Sequence, residues 1–376
     1  MTTGGRAETF RGPEVPWWVP QMTGNELEGI RGALTRNFIN EGEMTSQFER
    51  EIARLVGARH AVAVTSGTAA LFLALAGAGV GPGDEVIVPD ATFIATANAV
   101  RLAGATPVLA DIDPARLTLA PGAFEAAITP RTRAVMPVHV SGRAADMTAI
   151  AEIARSRRLV VVEDAAEAFM SASCGKFLGT IGRAGCLSFS PHKVITTGQG
   201  GMVLTDDDAL HARLRELKDQ GRPVRGTGGD DLHPSLGYNF KFTDLQAAVG
   251  LAQLSALEAR LARQRQLYRI YARRLTVVGG LELPGFDLAG GECPLWTDVL
   301  LDRRDALDGF LAEQGMHCRR FWLPLHTQAP YRRPDVGFPG AARALRRALW
   351  LPSAFTLTDG DAERVASAVL AFTGAA

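Results

Sequence analysis

The chain has 376 residues, of which 47% are hydrophobic. This length accommodates two packed domains, or one large domain with a smaller one attached. Lys+Arg and Asp+Glu both number 40, so the chain has no general basic field that would attract nucleic acid. The four cysteines are Cys174, Cys186, Cys293 and Cys318. They have no Cys-x-x-Cys spacing, so the sequence predicts no metal site and indicates reduced thiols in a cytoplasmic protein.

No segment of the sequence indicates contact with a membrane. Residues 1–20 contain no continuous apolar core after a basic start, so no signal peptide is expected. The most apolar helical stretch, residues 69–80, is interrupted by glycine and is too short to span a bilayer. We therefore expect a cytoplasmic protein without a membrane partner.

Short apolar runs alternate with helical segments up to about Leu204. The pattern predicts strands over 61–65, 84–89, 107–110, 134–138 and 159–162, with helices over 68–78 and 91–104. The runs are apolar throughout, which is typical of a parallel sheet that helices cover on both faces. The first part of the chain is therefore predicted to be an α/β domain.

The pattern changes after residue 243. Thr243-Asp-Leu-Gln246 has the form of a capping box, and it predicts one long helix that reaches about residue 275. A strand over 296–301 and helices over 305–314 and 362–372 indicate a smaller α+β domain. We predict a partly flexible extension (1–20), a large domain (21–245), a connecting helix (246–275) and a small domain (276–376), with a flexible loop at 226–231.

Two short motifs of the first domain point to an anion site. Ser66-Gly67-Thr68 follows a strand and opens a helix, where free backbone N–H groups favour a phosphate, although a plain N-cap without a ligand is the preferred explanation of the tripeptide taken alone. Asp164 ends the apolar run Val160-Val-Val-Glu-Asp164. Its carboxylate therefore lies at the sheet edge where open α/β folds bind ligands.

Lys193 is the most informative residue of the sequence. On its own it would be read as a surface charge, but it lies among small residues just before the turn Gly198-Gln-Gly-Gly201. A lysine that forms a Schiff base, together with a carboxylate that keeps a pyridine nitrogen protonated, is what pyridoxal phosphate (PLP) chemistry requires. Lys193 and Asp164 therefore predict a PLP enzyme.

The order of these motifs resembles the DegT/DnrJ/EryC1/StrS sugar aminotransferases, which are PLP enzymes of fold type I. The resemblance covers about residues 38–369, and five segments carry it: 65–70, 89–98, 163–166, 188–193 and 236–244. It implies an α/β fold whose large domain has a mostly parallel central sheet flanked by helices, with a smaller C-terminal α+β domain. It also implies a transaminase.

The resemblance assigns roles to the catalytic pair and to the ring of the cofactor. Lys193 would form the Schiff base with PLP and move the proton between the substrate Cα and the cofactor. Asp164 would pair with the protonated pyridine nitrogen. Phe93 stands where an aromatic residue stacks on the pyridine face, although without the resemblance a core phenylalanine is an equal alternative.

The same resemblance assigns the residues that hold the cofactor phosphate. Gly67, Thr68 and Ser188 would bind this phosphate within one subunit. Asn239 would reach it from the partner subunit, which implies a homodimer.

Three positions depart from the family pattern or leave alternatives open. Glu167 replaces the usual Gln that donates to the phenolic oxygen of the cofactor, so its carboxylate would have to be protonated, bridged by water or turned aside. Lys241 replaces a common Arg and loses bidentate geometry toward a substrate phosphate. His326 matches a histidine near the substrate end of the site, and a packed histidine at the domain interface is an equal alternative.

The resemblance implies transfer of an amino group from L-glutamate to a nucleotide-diphosphate keto-6-deoxy sugar, with TDP as the expected nucleotide, in amino-sugar or antibiotic biosynthesis. Residues 138–143 lack the Tyr-Gly pair that we associate with several 3-keto enzymes, which favours the 4-keto position. A 3-keto sugar or aminocyclitol aminotransferase is an alternative, and so is a PLP-binding regulator without turnover. A dinucleotide dehydrogenase would need Gly-x-Gly-x-x-Gly after the first strand, and residues 65–70 do not have it.

Overall fold

The computed structural model describes residues 14–223, 232–276 and 278–374. The helices are α1 (Glu26–Thr35), α2 (Glu43–Val56), α3 (Gly67–Gly77), α4 (Ala95–Leu102), α5 (Pro121–Ala126), α6 (Met147–Arg157), α7 (Asp208–Lys218), α8 (Asp244–Leu254), α9 (Leu257–Leu275), α10 (Arg304–Glu313), α11 (Pro339–Arg347) and α12 (Asp359–Thr373). The strands are β1 (His60–Val64), β2 (Glu85–Pro89), β3 (Thr106–Ala110), β4 (Ile112–Asp113), β5 (Thr118–Leu119), β6 (Thr132–Val135), β7 (Val160–Asp164), β8 (Ala172–Ser173), β9 (Lys176–Phe177), β10 (Ala184–Ser188), β11 (Gly201–Thr205), β12 (Leu281–Glu282), β13 (Thr297–Leu301), β14 (Arg319–Arg320) and β15 (Ala348–Leu351).

A seven-stranded sheet forms the centre of the large domain, in the order β1-β11-β10-β7-β6-β2-β3. Strand β11 runs antiparallel to both of its neighbours, whereas each pair from β10 to β3 is parallel. The predicted mostly parallel sheet is therefore confirmed, and so are the five strands predicted from the apolar runs, to within a few residues at their ends.

Helices cover both faces of this sheet, as the apolar strands predict. Along β2, Val86 and Val88 pack into the cluster that contains α3, while Ile87 between them packs with Phe124 and Ile150 on the other face. This alternation follows from the two-residue repeat of a strand. Buried on both faces, the strand has no position at which a polar residue would meet water.

Helix α3 explains why the most apolar stretch of the sequence occurs here. Leu71 and Leu75 lie on one face of the helix and Leu73 on the opposite face, yet all three are buried, because α3 packs against β10 and β11 and also against α4 and α7. A helix that is apolar on all sides must be enclosed by protein or lipid. Among the described residues, no helix combines the length and apolarity needed to cross a membrane.

The second sheet belongs to the C-terminal part of the chain. Its strands lie in the order β12-β13-β15-β14, with every neighbouring pair antiparallel. Leu349 of β15, Tyr271 of α9 and Val365 of α12 are buried in one apolar cluster beside it. This arrangement confirms the predicted smaller α+β part, whereas the domain boundaries at 21, 246 and 276 stay predictions.

The single long helix predicted over 243–275 is instead two helices, α8 and α9. The capping box is present, since the Thr243 side chain accepts from the N–H of Gln246 and the Gln246 side chain accepts in return. The helix ends at Ser255, whose hydroxyl donates to the Ala252 carbonyl at 2.7 Å. A serine that bonds a carbonyl of the preceding turn competes with the helical ladder, and Ala256 (φ −99°, ψ 1°) separates α8 from α9.

Two predicted flexible segments fall partly or wholly outside the described residues. These are the first 13 residues of the extension at 1–20 and the loop at 226–231. The described end of the extension is packed, because Trp18 is buried in the core and Val15 pairs with Met316 next to the second sheet.

Candidate active site

A cavity of about 430 Å³ lies between the two sheets, at the carboxyl ends of β7 and β10. Helix α3 contributes its N-terminus, the loop after β2 contributes Phe93, and the second sheet contributes residues next to β13 and in β14. Seven of the residues predicted from sequence line this one cavity: Gly67, Thr68, Phe93, Asp164, Glu167, Ser188 and Lys193. Residues that are up to 126 positions apart in the sequence therefore meet at one place.

Lys193 lies in the turn that follows β10. Its backbone N–H donates to Ser190 O at 3.1 Å, which keeps the turn tight. The Nζ lies 3.4 Å from Glu167 Oε1 and 5.2 Å from the centre of the Trp296 ring. The ammonium group is therefore held between a carboxylate and an aromatic face, with its side chain partly open to the cavity.

Asp164 ends β7 and is buried. Its Oδ2 accepts from the Thr96 hydroxyl at 2.7 Å, and its Oδ1 accepts from the Ala166 N–H at 3.2 Å. Burial raises the pKa of this carboxyl, against the opposing effects of both hydrogen bonds and of the Lys193 charge. A cationic N–H partner would relieve the cost of burying the carboxylate.

Glu167 is buried beside the same cavity. Its Oε2 accepts from the backbone N–H of Ser141 at 2.9 Å, while Oε1 faces Lys193. Burial raises the pKa of Glu167, and the charge of Lys193 opposes that rise. The structure shows the carboxylate directed toward the lysine, and its relation to the phenolic oxygen of the cofactor stays a prediction.

The N-terminus of α3 forms the far wall of the cavity. The Ser66 hydroxyl caps the helix by accepting from the Ala69 N–H at 3.1 Å, and the N–H groups of Gly67 and Thr68 precede the helical ladder. A Cβ on Gly67 would lie 3.0 Å from the Cβ of Ser188. The absence of a side chain at Gly67 thus lets the helix end approach Ser188, and together they form a cradle suited to a phosphate.

Phe93 lies on the wall of the cavity with 53% of its surface exposed. Its ring centre is 6.1 Å from that of Trp322, with the two planes tilted by 49°. The alternative of a core phenylalanine does not agree with this exposure. Stacking on a pyridine ring stays a prediction.

Three predicted site residues do not line the cavity. Asn239 is exposed and pairs with Asp219 in an isolated bridge, and the Lys241 Nζ lies 2.6 Å from Asp219 Oδ1. The role of Asn239 toward a partner subunit stays a prediction.

His326 has the packed arrangement that was its alternative. It is completely buried, with its Nδ1 2.6 Å from Asp90 Oδ2 and its Nε2 3.1 Å from Asp335 Oδ1. Both ring nitrogens therefore have carboxylate partners, and a contact of His326 with the substrate stays a prediction.

Sequence reasoning missed several cavity residues. Trp296, Arg319 and Trp322 come from the C-terminal part of the chain, where no local motif marks them. Thr96, the hydrogen-bond donor to Asp164, lies within a segment that carries the family resemblance, but nothing in its own neighbourhood identified its partner.

The residues present fit PLP. A lysine, a buried strand-end carboxylate and a glycine-lined helix N-terminus surround one cavity, and these are the groups that hold its aldehyde carbon, its pyridine nitrogen and its phosphate. Together with the mostly parallel sheet and the small antiparallel sheet, they define the class of fold-type I PLP enzymes.

The chain belongs to the DegT/DnrJ/EryC1/StrS aminotransferase family, whose profile matches residues 20–370. The expected family and the transaminase class are thereby confirmed. PLP is the cofactor of this family, so the expected cofactor is confirmed as well.

Named relatives extend along nearly the whole chain. GDP-perosamine synthase of Caulobacter vibrioides is 38% identical over 366 residues, which cover 95% of this chain and 98% of that protein. S. venezuelae DesV, solved in complex with a ketimine intermediate, is 35% identical with a TM-score of 0.90, covering 96% of this chain and 99% of its own. DesI, solved in the presence of its TDP-sugar product, is 33% identical with a TM-score of 0.89, covering 99% and 96%.

Proposed function

We propose that the protein transfers the amino group of L-glutamate to the 4-keto position of a nucleotide-diphosphate 6-deoxyhexose. The observation that carries this proposal is the meeting of Lys193, Asp164 and the N-terminus of α3 in one cavity. The family supports the reaction type. The relatives named for GDP-perosamine and for a TDP-sugar product support a nucleotide sugar as the acceptor.

Five residues that line the cavity have a part in the proposed reaction. When bound, PLP supplies a ring that delocalises the electron pair left on carbon after a proton departs. Asp164 holds a proton on the pyridine nitrogen, and the N–H groups of Gly67 and Thr68 with the Ser188 hydroxyl bind the phosphate. Lys193 Nζ takes the Cα proton of the amino donor and returns a proton in the acceptor half of the cycle.

The surroundings of Lys193 fix the position of its Nζ. The Trp296 face and the buried walls exclude water from one side of the Nζ, and the Glu167 carboxylate orients the ammonium group from another. In the complete cycle, L-glutamate and the keto sugar become 2-oxoglutarate and the amino sugar. No external oxidant is needed, because the two half-reactions exchange one amino group for one carbonyl oxygen.

The nucleotide has two candidates. TDP is the nucleotide expected from the sequence. GDP is the second candidate, because a relative that is 38% identical is named GDP-perosamine synthase. The 4-keto position is proposed because residues 138–143 lack the Tyr-Gly pair of several 3-keto enzymes. We place the product in amino-sugar biosynthesis in the cytoplasm, with antibiotic sugars as one destination.

We further propose that the enzyme is a homodimer in which Asn239 reaches the phosphate of the partner's cofactor. Asn239 is exposed, and its neighbours Leu236 and Tyr238 expose large apolar side chains, Leu236 to 88%. An exposed apolar patch of this kind favours contact with another protein surface. Sedimentation of the purified protein measures whether it is a dimer. The PLP affinity of Asn239→Ala, compared with that of the wild type, tests the contact with the phosphate.

The test of the proposed function uses the purified protein. We expect a yellow chromophore that borohydride bleaches, release of 2-oxoglutarate from L-glutamate, and amination of the TDP- or GDP-linked 4-keto-6-deoxyhexose. Lys193→Ala should lose the bleachable chromophore and the activity. A Lys193→Ala protein with undiminished activity would remove the Schiff-base assignment, and conversion of only a 3-keto isomer would overturn the position of amination. A protein that binds PLP but forms no 2-oxoglutarate would be the regulator of the alternative hypothesis.

A further inference from the structure

All five tryptophans of the chain lie in one cluster beside the cavity. Ring centres are 4.5 Å apart for Trp296 and Trp350, 5.3 Å for Trp17 and Trp296, and 5.1 Å for Trp322 and Trp350. The cluster joins the described end of the N-terminal extension to the second sheet. Two of its members, Trp296 and Trp322, line the cavity, so the cluster forms an aromatic wall of the cavity.

Arg319 lies against this wall. Its guanidinium carbon is 4.8 Å from the centre of the Trp17 ring and 5.5 Å from that of the Trp350 ring. Cation–π contacts with two indoles restrict the guanidinium plane. Arg319 also lines the cavity, so its fixed hydrogen-bond donors border the space that holds Lys193.

Arg319 has no protein carboxylate as an ion-pair partner among the described residues, since none lies within 4.0 Å of its guanidinium nitrogens. Its neighbour in sequence, Arg320, pairs with Asp308 at 2.9 Å on the exposed side of the same strand. Glu167, the acid whose field reaches Arg319, is bonded to Lys193 and Ser141 instead.

The position of Arg319 carries a cost. Burial lowers its pKa, and only the more distant charge of Glu167 opposes that effect. Arginine nevertheless stays charged in proteins, so the structure keeps a half-buried cation beside the cavity. A ligand carboxylate would offset this cost with two parallel, charge-assisted hydrogen bonds.

We propose that Arg319 binds a carboxylate of the amino donor and is a determinant of donor specificity. The inference rests on the proposed function, because it takes the donor to be a dicarboxylic amino acid. The donor's amino group would face Lys193, and a carboxylate would face the guanidinium group on the tryptophan wall. The bond is a reversible ion pair, so no group is transferred at Arg319.

The test measures binding without turnover. Glutarate has both carboxylates of the donor but no amino group, and it is titrated into the holoenzyme while calorimetry or tryptophan fluorescence is followed. We expect the affinity of Arg319→Gln to be about 10- to 100-fold weaker than that of the wild type. Arg319→Lys, which keeps the charge but not the fork, should lie between them. The matched control Arg320→Gln should bind as the wild type does.

Several results would overturn the inference. One is equal glutarate affinity in the wild type and Arg319→Gln, and another is no glutarate binding to the wild type. A third is that Arg319→Gln weakens only the keto sugar nucleotide, measured with the enzyme loaded with pyridoxamine phosphate, since Arg319 would then serve the acceptor phosphates. Should Arg319→Gln fail to fold, Arg319→Lys decides by the same comparison. Failure of the proposed function is distinguishable from these results, because the wild type would then release no 2-oxoglutarate from L-glutamate.

Discussion

Glu167 and Lys193 form a directed pair at the centre of the cavity, with Oε1 3.4 Å from Nζ and the second carboxylate oxygen held by the Ser141 N–H. Ser141 is itself placed by a left-handed backbone (φ 55°) and by its hydroxyl, which donates to Asp298. The carboxylate that replaces the usual amide of the family is thus oriented from both ends. This pairing shows how the chain accommodates an acid at that position.

We expect Glu167→Gln to change how stability depends on pH in the cofactor-free protein. Burial raises the pKa of Glu167 above its ordinary value of 4.5, so the folded state holds this proton more tightly than the unfolded state does. The stability that results is present below pH 4.5 and is lost as the pH rises through the folded pKa. Thermal unfolding is measured over a pH series. The melting temperature of Glu167→Gln relative to that of the wild type should therefore rise as the pH rises.

The exposed Glu125, which pairs with Arg157, provides the control for this experiment. Glu125→Gln should keep a constant offset in melting temperature from the wild type across the series. A constant offset for Glu167→Gln as well would contradict the prediction.

Asp164→Asn should slow the half-reaction with L-glutamate by roughly 100-fold or more, because an amide does not hold a proton on the pyridine nitrogen. Stopped-flow absorbance of the cofactor measures this rate. Thr96→Val keeps the carboxylate and removes the 2.7 Å hydrogen bond to it, together with the hydroxyl contact between Thr96 and Thr92, so a milder loss of about 10-fold is expected. If Asp164→Asn reacts as fast as Thr96→Val, Asp164 does not have the proposed role.

Gly67→Ala should weaken PLP binding by about 10-fold while changing the free energy of unfolding little. The new Cβ would meet the Cβ of Ser188 at 3.0 Å, so the helix end has to move away from the phosphate cradle. Titration of the cofactor-free protein with PLP gives the affinity. Gly279→Ala is the control, because nothing lies within 4 Å of a Cβ at that position. An equal effect of both substitutions on PLP affinity would contradict the assignment of the phosphate to the N-terminus of α3.

Asp298→Asn should lower the free energy of unfolding by about 3 kcal/mol. Its Oδ2 lies 2.5 Å from Arg143 Nη2, with both side chains completely buried, so the change leaves a buried cation without its counter-charge. Chemical denaturation measures the loss. Arg157→Gln, which breaks the exposed pair with Glu125 at 3.6 Å, should cost at most about 0.5 kcal/mol; a similar cost for both would mean that the buried pair contributes no more than a surface pair.

Local patterns predicted much of the fold. The apolar runs located β2, β3 and β7, and the capping box placed the start of α8 at the observed residue. These features depend on neighbours within a few positions, which is why a sequence window contains them. The break at Ser255 was missed because its hydroxyl bond to Ala252 is one of several that a serine can make.

The candidate site divides in the same way. Lys193, Asp164 and the turn at Gly67 were recognisable because each stands at a strand end or helix start that the sequence marks. His326 was assigned to the substrate or to packing with equal weight, and the structure shows it between Asp90 and Asp335. Which carboxylates surround a histidine depends on loops that converge from distant parts of the chain.

The sequence by itself determined the class of chemistry, since the lysine, the strand-end acid and the glycine turn are local features with fixed chemical meaning. Only the tertiary structure decided how they are tuned. It set Glu167 against Lys193, Thr96 against Asp164, and Arg319 on the tryptophan wall. The physical reason is that these contacts depend on the order of strands in the sheet and on the packing of the second sheet over the first, and no short stretch of sequence contains either.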